Sequence, residues 1–195
     1  MIPVAAAVLP TSGIRSYLYK RSDTHRHRGI DLPAPIGTPV FAAADGVVEH
    51  ATHEWQSGFS GYGRVIVLKH GTDGPWTLYA HLDSVSVEPG ELVREGQPIG
   101  AVGVTKFTRE DPTALFATSA AHLHFEVAPK PYPMKSEADR LDPVAWLMER
   151  KLVPEDEDDL NKRADDAARA GDAGTFFALM ALWAGMKWLR SRGRA

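Results

Sequence analysis

Residues 121–127 have the sequence A-H-L-H-F-E-V, in which His122 and His124 alternate with apolar side chains. Successive side chains of a β-strand point to opposite faces of the sheet. The pattern therefore predicts a strand with one apolar face and one face that carries two imidazoles. Such a strand either forms a wall of a metal site or is a half-exposed strand with two ordinary histidines, and this motif alone does not separate the two.

A second motif, H-R-H-R-G-I-D at residues 25–31, places His27 and Asp31 four positions apart. Gly29 between them disfavours a helix, and positions i and i+4 of an extended segment share a face. By itself this pair also fits a surface ion pair. Catalytic zinc sites, however, use three ligands of the His and Asp or Glu type. The two motifs together favour a metal site built from His27, Asp31 and one strand histidine.

A third motif, Y-A-H-L at residues 79–82, lies between these two along the chain. The order H-x-G-x-D, Y-A-H-L and H-L-H-F-E-V resembles the zinc endopeptidases of the lysostaphin and LytM type, peptidase family M23. The resemblance extends over roughly residues 25–148. It includes G-T-P-V-F-A-A-A-D-G-V-V at 37–48, G-Y-G-R-V-I-V-L-K-H at 61–70, V-E-P-G-E-L-V-R-E-G-Q-P-I-G at 87–100 and L-D-P-V-A-W-L at 141–147.

The resemblance implies a mainly β fold with an antiparallel sheet or sandwich core of the LytM type. It implies one Zn²⁺ per chain, held by His27, Asp31 and His124. His81 and His122 would lie beside the metal without binding it, and would orient or deprotonate a water and stabilise the oxyanion. The implied reaction is hydrolysis of a peptide bond in the stem or cross-bridge of peptidoglycan. Glu126 shares a strand face with His124 and is a candidate for orienting a ligand histidine.

Two other classes of protein are weighed against the enzyme. Some family members are non-catalytic scaffolds that bind or activate other wall hydrolases, and these typically lack one or more ligands. All five expected positions are filled here, which favours the enzyme. Segments 40–48 and 92–100 also resemble the hairpins of biotinyl or lipoyl carrier domains. Such domains need a lysine at the hairpin tip, where this chain has Asp45 and Gly46.

Composition limits the class of protein. A chain of 195 residues accommodates one domain of ordinary size with an appendage, and its apolar fraction of 44% is that of a soluble globular protein. The net charge of −3 gives no basic signal for nucleic-acid binding. Cysteine is absent, which excludes disulfides and cysteine-based metal sites.

Short runs of β-branched and aromatic residues, separated by Gly, Pro and Asp, predict antiparallel strands joined by tight turns. The expected strand cores are 47–48, 65–68, 77–79, 92–93 and 99–102. They would be buried by two packed sheets or by one curved sheet. Asp142 and Pro143 predict the cap and the first residue of a short helix.

The chain divides into four predicted segments: a lead-in at 1–24, the peptidase domain at 25–150, an acidic linker or exposed helix at 151–174, and an apolar helix with a basic end at 175–195. The last helix has about 15 mostly apolar residues, where a membrane span needs about 20. We expect it to pack on the enzyme domain or on a partner chain, with a membrane surface as the alternative.

Three further features complete the expectations. Segment 106–121 is longer than the corresponding turn of the family and predicts a lid or groove wall. Trp55, Phe59 and Tyr62 either line a peptide groove or cover the edge of the sheet. His70, which follows a strand, is expected to be structural.

The N-terminal residues are apolar but lack a positively charged region and contain Pro3 and Pro10. They do not predict a signal peptide. The expected site of action is nevertheless the cell wall, in the periplasm or outside the cell. A phage lysin, a virion component or an injected effector would each reach the wall without ordinary secretion.

Overall fold

The computed structural model describes residues 27–52, 59, 61–106, 116–117, 120–133, 140–150, 162, 166 and 169. The elements named from these residues are ten strands and one helix. They are β1 (Ile30–Pro33), β2 (Pro39–Phe41), β3 (Gly46–Thr52), β4 (Arg64–Lys69), β5 (Trp76–Val85), β6 (Leu92–Val93), β7 (Pro98–Val102), β8 (Thr105–Lys106), β9 (Phe116–Ala117), β10 (His122–Ala128) and α1 (Pro143–Glu149).

Eight of these strands form one sheet with the order β1-β10-β5-β4-β3-β6, and β7 pairs with both β5 and β2. Strands β8 and β9 form a separate two-stranded ribbon. Every pairing between the described strands is antiparallel. The mainly β, antiparallel fold predicted from the sequence is confirmed, and its core is the branched eight-stranded sheet. The predicted helix at 175–195 lies outside the described residues, and the division into four segments stays a prediction.

The local sequence predictions agree with the observed elements. The five predicted strand cores fall within β3, β4, β5, β6 and β7. Helix α1 begins at Pro143, and the Val144 backbone N–H donates to Asp142 Oδ1 at 2.9 Å, as expected for an N-cap aspartate. Among the residues that the structure describes, no helix is long and apolar enough to cross a membrane.

The sheet separates two apolar cores. Along β4, Ile66 and Leu68 face the larger core, while Val65 and Val67 face a smaller one. The odd-numbered residues of β10 from 123 to 127 belong to the larger core, and Ala128 belongs to the smaller. The histidines of β10 therefore share the sheet face that carries the smaller core, because side chains of a strand alternate.

A buried chain of polar groups ties β4 and β5 to the turn before β3. His70 Nδ1 donates to the Asp45 carbonyl at 2.8 Å, and His70 Nε2 lies 2.8 Å from the Thr77 hydroxyl. That hydroxyl lies 3.1 Å from the Tyr79 hydroxyl, which accepts the Ala43 N–H at 2.9 Å. His70 thus has the structural role expected from its position, because both ring nitrogens are used within the fold.

Truncation of Phe125 tests the larger core. Phe125 is fully buried, and its ring packs against those of Tyr79 and Trp146 at centroid distances of 5.3 and 6.4 Å. Phe125→Ala should lower the free energy of unfolding by about 3–5 kcal/mol, because it leaves a cavity between packed rings. Leu92→Ala, at a residue that is 77% exposed, should change it by less than about 0.5 kcal/mol. Urea denaturation measures both, and equal effects would contradict the assigned core.

The burial of His70 predicts a pH dependence of stability. Burial lowers the pKa of His70 from its ordinary value of 6.5, and the charge of Arg150 acts in the same direction. The unfolded chain then binds more protons here than the folded chain, so the stabilisation present above pH 6.5 is lost as pH falls below it. In His70→Gln the unfolding free energy should fall less steeply over this range. An unchanged slope in urea denaturation at several pH values would refute the assignment.

Candidate metal centre

The pairing of β1 with β10 brings together the two motifs that lie furthest apart in the sequence. In the ladder, Asp31 is directly opposite His124. Gly29, just before β1, lies so close to β10 that a Cβ atom built on it would meet the Phe125 carbonyl oxygen at 2.1 Å. A glycine is therefore required for His27 and Asp31 to reach the histidine face of β10.

Three donor atoms converge at this point. His27 Nε2 lies 3.0 Å from Asp31 Oδ1 and 3.1 Å from His124 Nδ1. His124 Nδ1 lies 2.8 Å from Asp31 Oδ1. All three residues are buried, and together they form a group of His and Asp side chains that could hold a metal ion.

The geometry of this donor set fits a tetrahedral zinc site. With bonds of about 2.0–2.2 Å, ligand atoms at tetrahedral corners lie about 3.3–3.6 Å apart. The observed separations are 2.8, 3.0 and 3.1 Å, so the three atoms would have to move apart by only a few tenths of an ångström to bind the ion. Two imidazole nitrogens and one carboxylate oxygen form the donor combination of a catalytic site with one open position. The residues present therefore fit a bound Zn²⁺.

At Nδ1 of His124 a proton competes with a metal ion. Burial would lower the pKa of His124, but its hydrogen bonds to Asp31 and Glu126 outweigh burial and raise the pKa to about 9. Burial would raise the pKa of Asp31, yet hydrogen bonds from His124 and His27 hold it well below its usual range. A metal that takes His124 Nδ1 must displace that proton, so metal affinity should rise with pH.

His81 reaches the site through a local break in the alternation of β5. Tyr79 and Leu82 both belong to the larger core although they are three residues apart. The partner β4 spans the same distance with two steps, from Ile66 to Arg64, so β5 carries one extra residue. His81 has a positive φ of 63°, which is strained for a residue with a side chain. This bulge turns the imidazole of His81 towards the histidines of β10.

The structure brings His81 and His122 together beside the three donor atoms. Their ring centroids lie 4.8 Å apart, and those of His81 and His124 lie 5.8 Å apart. His122 Nε2 lies 3.6 Å from Asp31 Oδ1. All five residues singled out from the sequence thus form one cluster, while the role of each stays a prediction.

Backbone carbonyls fix the tautomer of both of these histidines. His81 Nδ1 donates to the Thr105 carbonyl at 2.9 Å, and His122 Nδ1 donates to the Ala120 carbonyl at 2.8 Å. A carbonyl oxygen only accepts, so the proton of each neutral ring is on Nδ1 and Nε2 keeps its lone pair. Burial lowers the pKa of His81 to about 3 and also lowers that of His122. Both rings are therefore neutral near pH 7.

Glu126 contacts the cluster through the ring of His124. The side chain is fully buried, and its Oε1 lies 2.9 Å from His124 Nε2. Burial alone would raise the pKa of Glu126, but the hydrogen bond and charge of His124 and the charge of Arg140 lower it to about 2. The carboxylate therefore accepts the Nε2–H of His124 and leaves Nδ1 to face Asp31 and His27. This is the orienting contact expected for Glu126 from the sequence.

Some residues around the site were not identified from the sequence. Thr105 and Arg140 carry no motif, and Tyr132 lies in a stretch without periodicity. Tyr62 was expected either to line a groove or to cover a sheet edge. It is buried in the smaller core with its hydroxyl 2.5 Å from Glu126, so it lies beneath the site. Its place in the G-Y-G turn at residues 61–63 was the available signal.

The predicted lid lies mostly outside the described residues. Of segment 106–121, the structure describes 106, 116–117 and 120–121. Trp55 is also outside the described residues. The described parts show that β8 pairs with β9 and that the carbonyls holding His81 and His122 come from Thr105 and Ala120, at either end of the segment. Whether the segment covers a substrate cleft stays a prediction.

Comparison with known proteins identifies the class. A family model described as "Peptidase family M23" matches residues 25–138, more than half of the chain. The chain belongs to this family, as the resemblance of its motifs implied.

Individual relatives agree with this assignment. The chain is 42% identical over 100 residues to the DD-carboxypeptidase/endopeptidase Mpg of Neisseria meningitidis serogroup B, a match that covers 51% of this chain and 19% of the relative. It is 36% identical over 100 residues to the peptidoglycan DD-endopeptidase ShyC of Vibrio cholerae, with the same two coverages, 51% and 19%. The chain thus spans about a fifth of the length of these two relatives.

A solved structure agrees over a larger share of both chains. The catalytic domain of the antimicrobial peptidase lysostaphin from Staphylococcus simulans matches with a TM-score of 0.54 and 28% identity. The match covers 74% of this chain and 98% of that one. The antiparallel β architecture described above is therefore that of the lysostaphin catalytic domain.

Substitution of Gly29 tests the close approach that forms the cluster. Gly29→Ala should lower the unfolding free energy by about 1–3 kcal/mol, because the new methyl group meets the backbone of β10. It should also weaken Zn²⁺ binding by at least about 10-fold, since His27 and Asp31 are displaced from His124. Calorimetry with Zn²⁺ and a competing chelator measures the affinity.

The matched control is Gly90→Ala. Gly90 has a φ of +90° and no atom within 4 Å of a built Cβ, so the change costs about 1–2 kcal/mol through backbone strain alone. It should leave the Zn²⁺ affinity unchanged. Equal Zn²⁺ affinities in the two variants would contradict the proposed packing of Gly29 against β10.

Proposed function

We propose that the chain is a zinc-dependent endopeptidase that hydrolyses peptide bonds in the stem or cross-bridge of peptidoglycan. One observation carries the proposal: three buried donor atoms within 3.1 Å of one another lie beside two neutral imidazoles that offer their Nε2 lone pairs. This arrangement combines a metal site that has an open position with two groups able to accept a proton.

The proposed ligands are His27, Asp31 and His124, with one Zn²⁺ per chain. When bound, Zn²⁺ supplies Lewis-acid activation of a water and of the scissile carbonyl. The chain contributes a buried, preorganised donor set. Glu126 holds the Nε2–H of His124 so that Nδ1 is the donor atom, and Asp31 supplies the negative charge that partly compensates the cation.

His81 and His122 are proposed to move protons. In the tautomer set by their carbonyl partners, Nε2 can accept a proton but cannot donate one. One of them therefore acts first as a general base towards the attacking water. Once protonated, its Nε2–H can donate to the oxyanion and then to the amine of the leaving group. From the sequence, both rings were expected to stabilise the oxyanion as well. In this proposal only the ring that has accepted the proton does so.

The substrate class is supported by the relatives. ShyC is described as a peptidoglycan DD-endopeptidase and Mpg as a DD-carboxypeptidase/endopeptidase. The cluster of five side chains is complete in this chain, which favours hydrolysis over a scaffold function. Action on the cell wall follows from this substrate. A phage origin, and association with a protein or a membrane through residues 175–195, stay predictions.

Three single histidine variants test the division of roles. His124→Ala removes one of three proposed ligands and should lose most of the bound zinc. His122→Ala and His81→Ala remove proton-transfer groups and should keep stoichiometric zinc. Both should hydrolyse purified peptidoglycan about 10²- to 10⁴-fold more slowly than the wild type. Metal analysis of the purified variants and a turbidity assay on cell walls provide the two measurements.

Each outcome of this experiment has a distinct meaning. Zinc loss in His122→Ala with retention in His124→Ala would reverse the assigned roles. A wild-type chain that binds zinc but leaves several wall types intact would refute hydrolysis and support the scaffold alternative. His50→Ala is a suitable control, because His50 packs against Phe59 at a centroid distance of 5.3 Å and belongs to β3, away from the β1–β10 ladder. It should retain both zinc and activity.

A further inference from the structure

We propose that Arg140 is a positioning residue of the metal centre, and that it acts on His124 through the buried carboxylate of Glu126. This inference rests on the proposed zinc site but does not depend on the reaction carried out there. It assigns a role to a side chain that lies two residues beyond the segment matched by the family model, which ends at residue 138.

Four groups converge on the Glu126 carboxylate. His124 Nε2 and the Tyr62 hydroxyl donate to Oε1 at 2.9 and 2.5 Å. The Tyr132 hydroxyl donates to Oε2 at 3.2 Å, and Arg140 Nε lies 3.0 Å from the same oxygen. The two carboxylate oxygens thus have separate partners. Oε1 faces the metal centre, and Oε2 faces Arg140 on the opposite side.

The position of Arg140 is fixed by the two residues that follow it in the chain. Leu141 forms a bridge to Val127 of β10, and the Leu141 N–H donates to the Val127 carbonyl at 3.0 Å. Asp142 caps α1. The guanidinium of Arg140 lies over the ring of Tyr132, with Cζ 4.9 Å from the centroid. Arg140 is therefore held against β10 by backbone pairing and by an aromatic face.

The burial of this ion pair requires a reason other than stability. The Arg140 and Glu126 side chains are 1% and 0% exposed, and removing two charges from water usually costs as much as their attraction returns. A buried carboxylate without a compensating charge is more costly still. When His124 serves as a neutral ligand, Arg140 still brings a positive charge into direct contact with Glu126 Oε2. This contact fixes the orientation in which Oε1 accepts the Nε2–H of His124.

Loss of Arg140 should therefore weaken metal binding. Without it, the orientation of the Glu126 carboxylate is no longer fixed, so the ring of His124 loses the contact that holds its Nδ1 towards Asp31 and His27. Contacts of this kind typically change metal affinity by about 10- to 100-fold. Arg140→Met removes the guanidinium but keeps an unbranched side chain that reaches about as far as Nε of arginine, and Arg140→Lys keeps a charge without the planar fork.

The experiment measures the Zn²⁺ dissociation constant of the full chain by chelator competition, without any substrate. The variants are Arg140→Met, Arg140→Lys, Glu126→Gln and the double variant Glu126→Gln with Arg140→Met. We expect Arg140→Met and Glu126→Gln each to raise the constant about 10- to 100-fold, and Arg140→Lys to raise it less. The double variant should match Glu126→Gln alone, because Arg140 acts through Glu126.

The visible spectrum of the Co²⁺-loaded protein provides a second measurement. Its ligand-field bands depend on the arrangement of the donor atoms, so Arg140→Met should shift them. Arg150→Met is the matched control: it removes an exposed arginine that lies over the Trp146 ring at 4.9 Å, away from Glu126. It should leave both the dissociation constant and the spectrum as in the wild type.

Two results would overturn the proposal. The first is a folded Arg140→Met variant with the Zn²⁺ affinity and Co²⁺ spectrum of the wild type. The second is a double variant whose loss is the product of the two single losses, since Arg140 would then act independently of Glu126. If Arg140→Met does not fold, the comparisons of Glu126→Gln with the double variant and of Arg140→Lys with the wild type decide the question. Failure of wall hydrolysis affects none of these measurements.

Discussion

The antiparallel pairing of β1 with β10 is the constraint on which the rest of the site depends. It places Asp31 opposite His124, although 92 residues of chain lie between them. The pairing has a defined register because the two faces of β10 differ. A shift by one residue would bring its histidines into the larger core and its apolar residues to the face that now carries the histidines. The burial of Leu123 and Phe125 thus specifies where the donor atoms meet.

An irregularity in β5 completes the cluster. If β5 alternated without interruption, His81 would share the sheet face of Tyr79 and point into the larger core. The extra residue in β5 and the positive φ of His81 bring its ring to the other face. At the same point β5 ends its pairing with β10, at Ala80, and begins its pairing with β7, at Leu82. The pairing of β5 with β10 before His81 and with β7 after it therefore holds the strained backbone of His81 in place.

Much of this was predictable, for reasons that differ from residue to residue. Alternation in residues 121–127 predicts both the strand and the common face of His122 and His124. Spacing alone does not predict that His81 belongs to the site, because in a regular strand it would share the face of Tyr79 and point into the larger core. Only the resemblance to the family assigned it to the site. Arg140 could not be found from the sequence. Its contact with Glu126 depends on the bridge between Leu141 and Val127, which joins segments that show no common pattern.

The arrangement also explains how two histidines on one strand face can have different functions. His124 donates from Nε2 to a buried carboxylate, whereas His122 donates from Nδ1 to a neutral backbone carbonyl. A carboxylate partner increases the basicity of the ring, which suits a metal ligand. A carbonyl partner fixes the tautomer without adding a charge, and the pKa of His122 stays below its ordinary value because burial outweighs the attraction of Asp31. The partner of the remote nitrogen therefore distinguishes the proposed ligand from the proposed proton acceptor.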